Sequence, residues 1–325
     1  SFNLNDIQAR YELVKTMRAS ILVLGPLVAK YGKARIALPG GCAIGSRPVN
    51  YHLDALKQLG AEIKLKNGYI EASAKKLIGS NIRFDGITVT GTENIMMAAT
   101  LAQGETILTN VAKEPEIIDL ADMLNSMGAD IKGAGTDEIT IKGVNELFGT
   151  SFTIPADRIE AGTYLVAAAV TNGSITIDSI NPNRLMKVIN MIERSGPKIS
   201  FDDNSISISM NKDRPDPVDI TTAPFPEFPT DMQAQFSVIN AISSGVSNIY
   251  ETVFENRFMH ILELNRMGCD IEVKGNHAKI NGVENIYGAE VMATDLRASA
   301  SLILAGLCAK GETVVDRIYH IDRGY

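Results

Sequence analysis

One cysteine lies on a loop whose composition suits chemistry better than packing. The segment LPGGCAIGSRPVN spans residues 38–50 and places Cys42 among three glycines, between Pro39 and Pro48. Glycines allow close approach to a ligand, and Gly40–Gly45 shows neither helix nor strand periodicity. Arg47 is near in sequence, and a cation favours the thiolate. The segment therefore predicts a reactive Cys42 that donates a proton or attacks an electrophile.

The other two cysteines, Cys269 and Cys308, lie among apolar residues and are interpreted as small buried hydrophobes. Three cysteines at wide, irregular spacing argue against a disulfide framework and suit a reducing compartment. We therefore expect a cytoplasmic protein.

Arginines are the second group of candidates, because paired N–H donors suit phosphate and carboxylate groups. Arg18 in MRAS and Arg297 in LRAS occupy matching positions at predicted helix starts. The helix dipole disfavours a cation there, so an anion is expected nearby. That anion is either a substrate or a salt-bridge partner, and the residues alone leave both open. The candidate arginines are Arg18, Arg47, Arg257, Arg297 and Arg323.

Two aspartates begin apolar helices after a proline: Asp157 in PADRIEAG and Asp231 in FPTDMQAQF. Each could be an N-cap, which is the ordinary role of an acid at this position, or a general base. Position alone favours the N-cap. The four histidines lack metal-ligand spacing and are interpreted as structural, so no metal site is predicted.

The composition excludes several classes of protein. The 325 residues are 45% hydrophobic, which is enough for two folded domains at roughly 100–200 residues each. No run of 18 apolar residues occurs, so no membrane partner is expected. The formal net charge is −7 without a long basic tract, which disfavours nucleic acid. An acidic protein can still bind anions where its arginines gather.

An internal repeat organises the chain. An apolar helix, a glycine and a strand recur five times, and a helix, a glycine and two strands recur four times between them. Glycine after a helix fits a left-handed C′ position, and Asn-Gly between strands fits a hairpin turn. The first unit is marked by Gly32, Gly104, Gly173, Gly245 and Gly311, and the second by Gly60, Gly128, Gly196 and Gly268.

The combined unit is α-β-α-β-β, and we expect its copies to surround a common centre, with helices inside and sheets outside. The helices VAAAV, MMAATLA and ASLILAGLCA are apolar nearly all round, as buried helices are. A boundary near residues 148–155 divides the chain into predicted domains 1–155 and 156–325. Five copies of one unit against four of the other predict that the chain begins part-way through a repeat.

At this point the motifs resemble a known family. LPGGCAIGSRPVNYHLDALKQLGAEI is similar to the active-site segment of the UDP-N-acetylglucosamine enolpyruvyl transferases. The resemblance extends over essentially the whole chain, through KTMRAS, TNVAKEPEI, PADRIEAGT, APFPEFPTDMQAQF, ETVFENRFMH, MATDLRASASLILAG and VVDRIYHIDRGY. It implies an α/β fold of two inside-out barrels, each built from three copies of one repeat.

The resemblance also implies a reaction. The 3-hydroxyl of UDP-N-acetylglucosamine would attack C2 of phosphoenolpyruvate, C3 would be protonated, and phosphate would leave. This is the first committed step of peptidoglycan synthesis, on which cell shape and division depend. The two implied partners are these small molecules, and no organic cofactor or metal is implied.

Roles are carried over motif by motif. Cys42 would be the proton donor and the residue that the antibiotic fosfomycin modifies, and Asp231 would be the base. Arg323 is the third implied catalytic residue; with Arg47 and Arg297 it would surround phosphoenolpyruvate. The implied substrate-binding residues are Arg18, Arg47, Pro48, Val49, Asn50, Tyr51, Ile87, Thr88, Val89, Glu114, Val253, Arg257 and Arg297.

The chain departs from the family pattern in three places. Asn50 stands where members often have an acid, and Gly86 stands where many have a lysine. The family's N-terminal Lys-Asn pair is expected before the first residue. Two alternatives are a shikimate-type enolpyruvyl transferase, which does not rely on the loop cysteine, and a non-catalytic UDP-sugar-binding protein, which needs neither acid nor base.

Overall fold

The computed structural model describes residues 7–15, 17–38, 49–322 and 324–325. They form two compact units, one ending at Ile154 and the other beginning at Pro155. That each unit is a separately folding domain stays a prediction. No helix in the described ranges is long and apolar enough to cross a membrane.

Helices account for the buried centre of each unit. The α-helices of the described residues are α1 (Tyr11–Val14), α2 (Leu24–Tyr31), α3 (Asn50–Gln58), α4 (Val89–Ala99), α5 (Pro115–Ser126), α6 (Arg158–Val170), α7 (Met186–Arg194), α8 (Gln233–Ala241), α9 (Met259–Arg266) and α10 (Leu296–Cys308). Short 3₁₀ helices cover Arg18–Val23, Pro182–Arg184, Thr230–Met232 and Ile318–His320.

Strands form small sheets outside these helices. They are β1 (Gln8–Ala9), β2 (Lys33–Ala37), β3 (Glu62–Lys66), β4 (Tyr69–Ser73), β5 (Asn81–Arg83), β6 (Glu105–Thr109), β7 (Asp130–Lys132), β8 (Glu138–Lys142), β9 (Ser174–Asp178), β10 (Lys198–Phe201), β11 (Ser205–Ser209), β12 (Ile220–Thr221), β13 (Val246–Tyr250), β14 (Asp270–Lys274), β15 (His277–Asn281), β16 (Glu290–Met292) and β17 (Val314–Asp316).

Three four-stranded sheets share one order, β1-β2-β4-β3, β5-β6-β8-β7 and β12-β13-β15-β14. In each sheet the first pair is parallel and the others are antiparallel. The predicted α-β-α-β-β repeat is confirmed, and the structure adds a leading strand that the sequence analysis missed. Leading strands have only two or three residues, too few for a visible alternation.

The helices that open the repeats are largely buried, as predicted, except that only three residues of α2 are buried and α10 exposes Ile303 and Leu307. In the second unit α6, α8 and α10 contact one another. All nine residues of α8 are buried, including four polar ones. One of these, Asn240, accepts a hydrogen bond from the Val218 amide and donates to its carbonyl, at 3.0 and 2.9 Å. Polar side chains in this core therefore attach the helix to the segment that precedes β12.

The predicted left-handed glycines are confirmed at seven of nine positions, where φ lies between 73° and 116°. The prediction is wrong for Gly173 and Gly245. In the third copy Asn172 takes the left-handed conformation instead, with φ 53°. At Gly245 the requirement is space, since an added Cβ would lie 3.0 Å from Pro217 Cγ. Asn67-Gly68 forms the β3–β4 turn with both φ angles positive, as the hairpin prediction requires.

We expect Gly60→Ala to lower the free energy of unfolding by about 1–2 kcal/mol. Gly60 has φ 92° and no atom within 4 Å of an added Cβ, so the cost is backbone strain alone. The matched control is Gly149→Ala, where φ is ordinary and the space is equally open. Urea denaturation of both variants measures the difference; equal stabilities would contradict a left-handed requirement at Gly60.

Candidate active site

The candidate residues of the second unit gather at helix starts. Asp231 lies in the 3₁₀ helix Thr230–Met232, which leads directly into α8. Arg297 is the second residue of α10, and Arg257 lies two residues before α9. Because α8 contacts α10, their starts bring these side chains together.

Asp231 is held between two arginines. Arg257 Nη2 lies 2.7 Å from Asp231 Oδ1. Arg297 donates from Nε and Nη2 to Oδ2, at 3.2 and 3.1 Å. The arginine side chains are 6% and 12% exposed, whereas that of Asp231 is 37% exposed. The carboxylate is therefore the part of this cluster that solvent reaches most.

The two guanidinium groups control the charge of this carboxylate. Removal from water opposes ionisation of Asp231, but the charges of Arg257 and then Arg297 outweigh it and hold the pKa of its carboxyl well below its usual range. Burial likewise opposes the charge of Arg297, whose pKa Asp231 nevertheless raises. Asp231 is thus ionised at neutral pH and can accept a proton only weakly while both arginines hold it.

The N-cap interpretation is confirmed for Asp157 and wrong for Asp231. Asp157 accepts hydrogen bonds from the amides of Ile159 and Glu160 at the start of α6. Asp231 makes no capping bond, because its oxygens face the two arginines. The anion expected near Arg297 is therefore, in this structure, the Asp231 carboxylate.

Sequence reasoning missed three groups that hold the arginines. Arg297 Nη1 donates to Tyr325 Oη at 3.0 Å, and that hydroxyl lies 3.0 Å from Thr163 Oγ1 in α6. Arg257 Nη1 donates to Thr230 Oγ1 at 2.8 Å. Thr230 adjoins Asp231 in sequence, which is the one signal that could have found it. Thr163 and Tyr325 end the motifs PADRIEAGT and VVDRIYHIDRGY, but neither was singled out within them.

The remaining candidate of this unit, Val253, lies on the loop between β13 and α9. Its amide donates to Glu251 Oε1 at 2.8 Å. Glu251 is only 2% exposed and was also missed, as a lone acid at the end of a strand.

In the first unit the candidates again lie at helix starts. Asn50 and Tyr51 begin α3, and Val89 begins α4 with Thr88 as its N-cap. Tyr51 reaches the loop before α4, since a Cβ added to Gly86 would lie 2.8 Å from Tyr51 Oη. The structure thus brings the 49–51 and 87–89 segments together within this unit. Val49 precedes α3 directly, and Ile87 is exposed.

Arg18 begins the 3₁₀ helix Arg18–Val23 and acts on the buried His52. Burial, and then the charge of Arg18, lowers the pKa of His52 to about 4. His52 Nδ1 lies 2.9 Å from Asn94 Nδ2, which also donates to the Ile21 carbonyl. The structural interpretation of His52 is confirmed, and its neutral ring joins α3 to α4.

Glu114, the N-cap residue of α5, belongs to a group of three acids. Burial raises the pKa of Glu93 to about 7, and the charges of Glu116 and Glu114 add to the effect. Glu93 is therefore partly protonated at neutral pH. This acidic end of α4 and α5 would repel a phosphate and suits neutral hydroxyl or amide donors.

Burial disfavours the thiolate form of the two cysteines outside the loop. Burial raises the pKa of Cys269 to about 12 and that of Cys308 to about 11. Both stay as thiols at neutral pH, so their structural interpretation is confirmed. Cys42, Arg47, Pro48 and Arg323 lie outside the described residues. Among the residues that the structure describes, no group of three His, Cys, Asp or Glu side chains could hold a metal ion.

Comparison with known proteins shows which families the chain is similar to. The family model described as EPSP synthase (3-phosphoshikimate 1-carboxyvinyltransferase) matches residues 3–325. The chain is 57% identical over 323 residues to the UDP-N-acetylglucosamine 1-carboxyvinyltransferase of Hydrogenovibrio crunogenus, covering 99% of this chain and 77% of that protein. It is 58% identical over 325 residues to the protein of that name from Ruthia magnifica, covering 100% and 78%.

Solved structures agree on the fold. The enolpyruvyl transferase NikO of Streptomyces tendae superposes with a TM-score of 0.85 at 25% identity, covering 98% of this chain and 76% of that one. The EPSP synthase of Acinetobacter baumannii superposes with a TM-score of 0.70 at 20% identity, covering 94% and 74%. The chain therefore has the fold of the enolpyruvyl transferases, as the sequence predicted.

We expect Asp231→Asn to lower the melting temperature at pH 7. The folded-state pKa of Asp231 is below its unfolded value of about 3.9, so its ionised form stabilises the fold above that pH. This contribution is lost as the pH falls towards the folded-state pKa. The difference between wild type and Asp231→Asn should therefore shrink as the pH falls below about 4.

Thermal unfolding between pH 7 and pH 3 measures this difference. Asp203→Asn, at an exposed loop position, is the control and should show a much smaller difference at every pH. A difference for Asp231→Asn that stays constant over this range would contradict the ion-pair argument.

Proposed function

The chain belongs to the EPSP synthase family and, within it, to the UDP-N-acetylglucosamine 1-carboxyvinyltransferases, and we propose that it performs the reaction for which they are named. It transfers the enolpyruvyl group of phosphoenolpyruvate to the 3-hydroxyl of UDP-N-acetylglucosamine and releases phosphate. The observation that carries this proposal is the partly exposed Asp231 carboxylate, held between two nearly buried arginines.

Asp231 is proposed as the base on the sugar hydroxyl. It takes the hydroxyl proton while the oxygen forms a bond to C2 of phosphoenolpyruvate, and Cys42 gives a proton to C3. The tetrahedral intermediate then loses a proton from C3 as the bond from C2 to the phosphate oxygen breaks. This restores the double bond and releases phosphate.

The arginines make this base dependent on the second substrate. With both guanidinium groups on its oxygens, Asp231 is a weak base. An anionic phosphoenolpyruvate that shares Arg297 would draw part of that positive charge away, and the pKa of Asp231 would rise. The base thus becomes effective when both substrates are present. Arg47 and Arg323 are proposed as further ligands of phosphoenolpyruvate.

The sugar nucleotide is proposed to bind the helix starts of the first unit. Backbone amides at the start of α3 are suited to phosphate oxygens, whereas the acidic starts of α4 and α5 suit neutral hydroxyl or amide donors of the ligand. Gly86 leaves room for the Tyr51 ring, whereas a lysine at position 86 would place its first carbon 2.8 Å from Tyr51 Oη. We propose that Tyr51 occupies part of the space that a lysine takes in other members. The other proposed contacts are Arg18, Arg47, Pro48, Val49, Asn50, Ile87, Thr88, Val89, Glu114, Val253, Arg257 and Arg297.

Two alternatives are less well supported. A shikimate-type enolpyruvyl transferase shares the fold, but the curated relatives at 57–58% identity carry the other name. A non-catalytic UDP-sugar-binding protein would not need an ionised carboxylate between two arginines. We further propose a cytoplasmic role in peptidoglycan synthesis, with the consequences for cell shape and division that follow, and modification of Cys42 by fosfomycin.

The purified protein should release phosphate from phosphoenolpyruvate only when UDP-N-acetylglucosamine is added. Phosphate release from phosphoenolpyruvate is measured in separate reactions, one with UDP-N-acetylglucosamine and one with 3-phosphoshikimate as the acceptor. Release with 3-phosphoshikimate in place of the sugar nucleotide would favour the shikimate-type alternative. Binding of the sugar nucleotide by calorimetry without any turnover would favour the binding protein.

Cys42→Asp should keep measurable activity and escape fosfomycin, because a carboxyl group also donates a proton. Cys42→Ser should lose roughly 10²-fold or more in turnover, since a hydroxyl is a far weaker acid. Mass spectrometry should find the fosfomycin adduct on Cys42 and none on the buried Cys269 or the half-buried Cys308, because burial raises the pKa of both thiols. Equal turnover of the two variants would refute an acid role for Cys42.

A further inference from the structure

A buried acid lies next to the arginine that holds Asp231. Glu251 follows β13 and is 2% exposed. A buried carboxylate is costly unless its oxygens are hydrogen-bonded. Glu251 Oε1 accepts from Thr222 Oγ1 and from the amides of Val253 and Phe254, at 2.9, 2.8 and 3.1 Å. Its Oε2 accepts from Thr230 Oγ1 at 2.8 Å.

The direction of these hydrogen bonds is determined by chemistry. A threonine hydroxyl has one proton, and an ionised carboxylate can only accept. Thr230 therefore gives its proton to Glu251, and a lone pair of its oxygen faces Arg257 Nη1, 2.8 Å away. A guanidinium can only donate, so this is the one orientation that satisfies all three groups.

The same guanidinium reaches Asp231 with its other nitrogen. Arg257 Nη1 is directed to Thr230 and Nη2 to Asp231 Oδ1, so fixing one fixes the other. The second arginine is held separately, since Arg297 Nη1 donates to Tyr325. The hydrogen bonds that connect Glu251 to Asp231 therefore orient the guanidinium group of Arg257 and leave that of Arg297 in place.

From this geometry we infer that Glu251 is a positioning residue for the base: through the Thr230 hydroxyl it orients Arg257, and Arg257 places the Asp231 carboxylate. The inference rests on the proposed function for its kinetic consequences, but the placement itself can be measured without turnover. It also assigns the two threonines on Glu251 different roles. Thr222 anchors the carboxylate to the end of β12, whereas Thr230 passes its orientation on to Arg257.

Other charged groups near Asp231 would remain when the hydrogen-bond connection from Glu251 through Thr230 to Arg257 is broken. The 3₁₀ helix that contains Asp231 packs against α6 and α8. Charged residues occur at the start of α6 but not within α8. Asp157 acts on Arg297, and Asp295 and Arg257 act on His260 in α9. The charged residues outside the connection are Asp157, Arg158, Glu160, Asp295 and Arg297, and the further titratable groups are His260, whose burial keeps it neutral at pH 7, and the phenol of Tyr325.

The test compares two valine substitutions, Thr230→Val and Thr222→Val. Each removes one hydroxyl bond to Glu251 and keeps the side-chain volume, and Thr222→Val also removes the acceptor of the Thr252 amide, but only Thr230 leads to Arg257. We expect Thr230→Val to lower kcat by about 10²-fold, because misplaced catalytic groups typically cost that much. Thr222→Val should stay within about 2-fold of wild type. Thr230→Ser keeps the hydroxyl and should restore most of the rate.

The pH dependence separates positioning from a merely structural effect. With Arg257 released, Asp231 loses one positive neighbour, so its pKa rises. In Thr230→Val, the acidic limb of the pH profile of kcat should move up by about one pH unit. The melting temperatures with and without Asp231→Asn should likewise converge at a pH about one unit higher when Thr230→Val is present. Neither should move in Thr222→Val.

Glu251→Gln is a second variant, with the same shape but a donor where the carboxylate only accepts. Its amide would reverse the Thr230 hydrogen bond and set a donor against Arg257, so it should resemble Thr230→Val in both pH readouts. Equal kcat losses and unshifted pH dependence in Thr230→Val and Thr222→Val would overturn the inference. If the wild-type protein releases no phosphate, the proposed function is refuted but the inference about Glu251 is not. The comparison of melting temperatures still tests whether Glu251 positions Asp231 through Thr230 and Arg257.

Discussion

In the second unit α6, α8 and α10 pack against one another, and this packing decides which side chains stay accessible to a ligand. Every residue of α8 is buried, so the helix offers no side surface to a ligand. Its start remains accessible, and there Asp231 keeps more than a third of its side chain exposed. Burial of the helix sides therefore concentrates the candidate residues at the helix starts.

Charge at this end of the unit is balanced. Two arginines lie with at most an eighth of their side chains exposed, which is stable only if anions stay close. Asp231 supplies that anion directly, and Glu251 supplies it to Arg257 through Thr230. Under the proposed function, the same balance keeps Asp231 a weak base until phosphoenolpyruvate competes for its arginines.

Enolpyruvyl transferases with different acceptors can share this fold because the repeat fixes the helix starts and not the residues on them. Asn50 and Gly86 are two positions where the resemblance implies a departure from the family pattern. At Gly86 the structure gives a reason, since the Tyr51 hydroxyl occupies the adjacent space. Nothing in the structure explains Asn50. Asn50 begins α3 and Gly86 precedes α4, so such exchanges leave the buried helix sides unchanged.

The sequence by itself determined the repeat, the buried helices, the Asn67-Gly68 turn and the family, because these depend on local periodicity and on long motifs. It also identified Asp231, Arg257 and Arg297 as candidates, but not their mutual contacts. The N-cap interpretation of Asp231 was wrong because position in a helix says nothing about arginines 26 and 66 residues away. Only the tertiary structure decided that contact, and it alone revealed Thr230, Glu251, Thr163 and Tyr325. Hydrogen bonds between distant segments depend on how the repeats pack, and no local pattern encodes that packing.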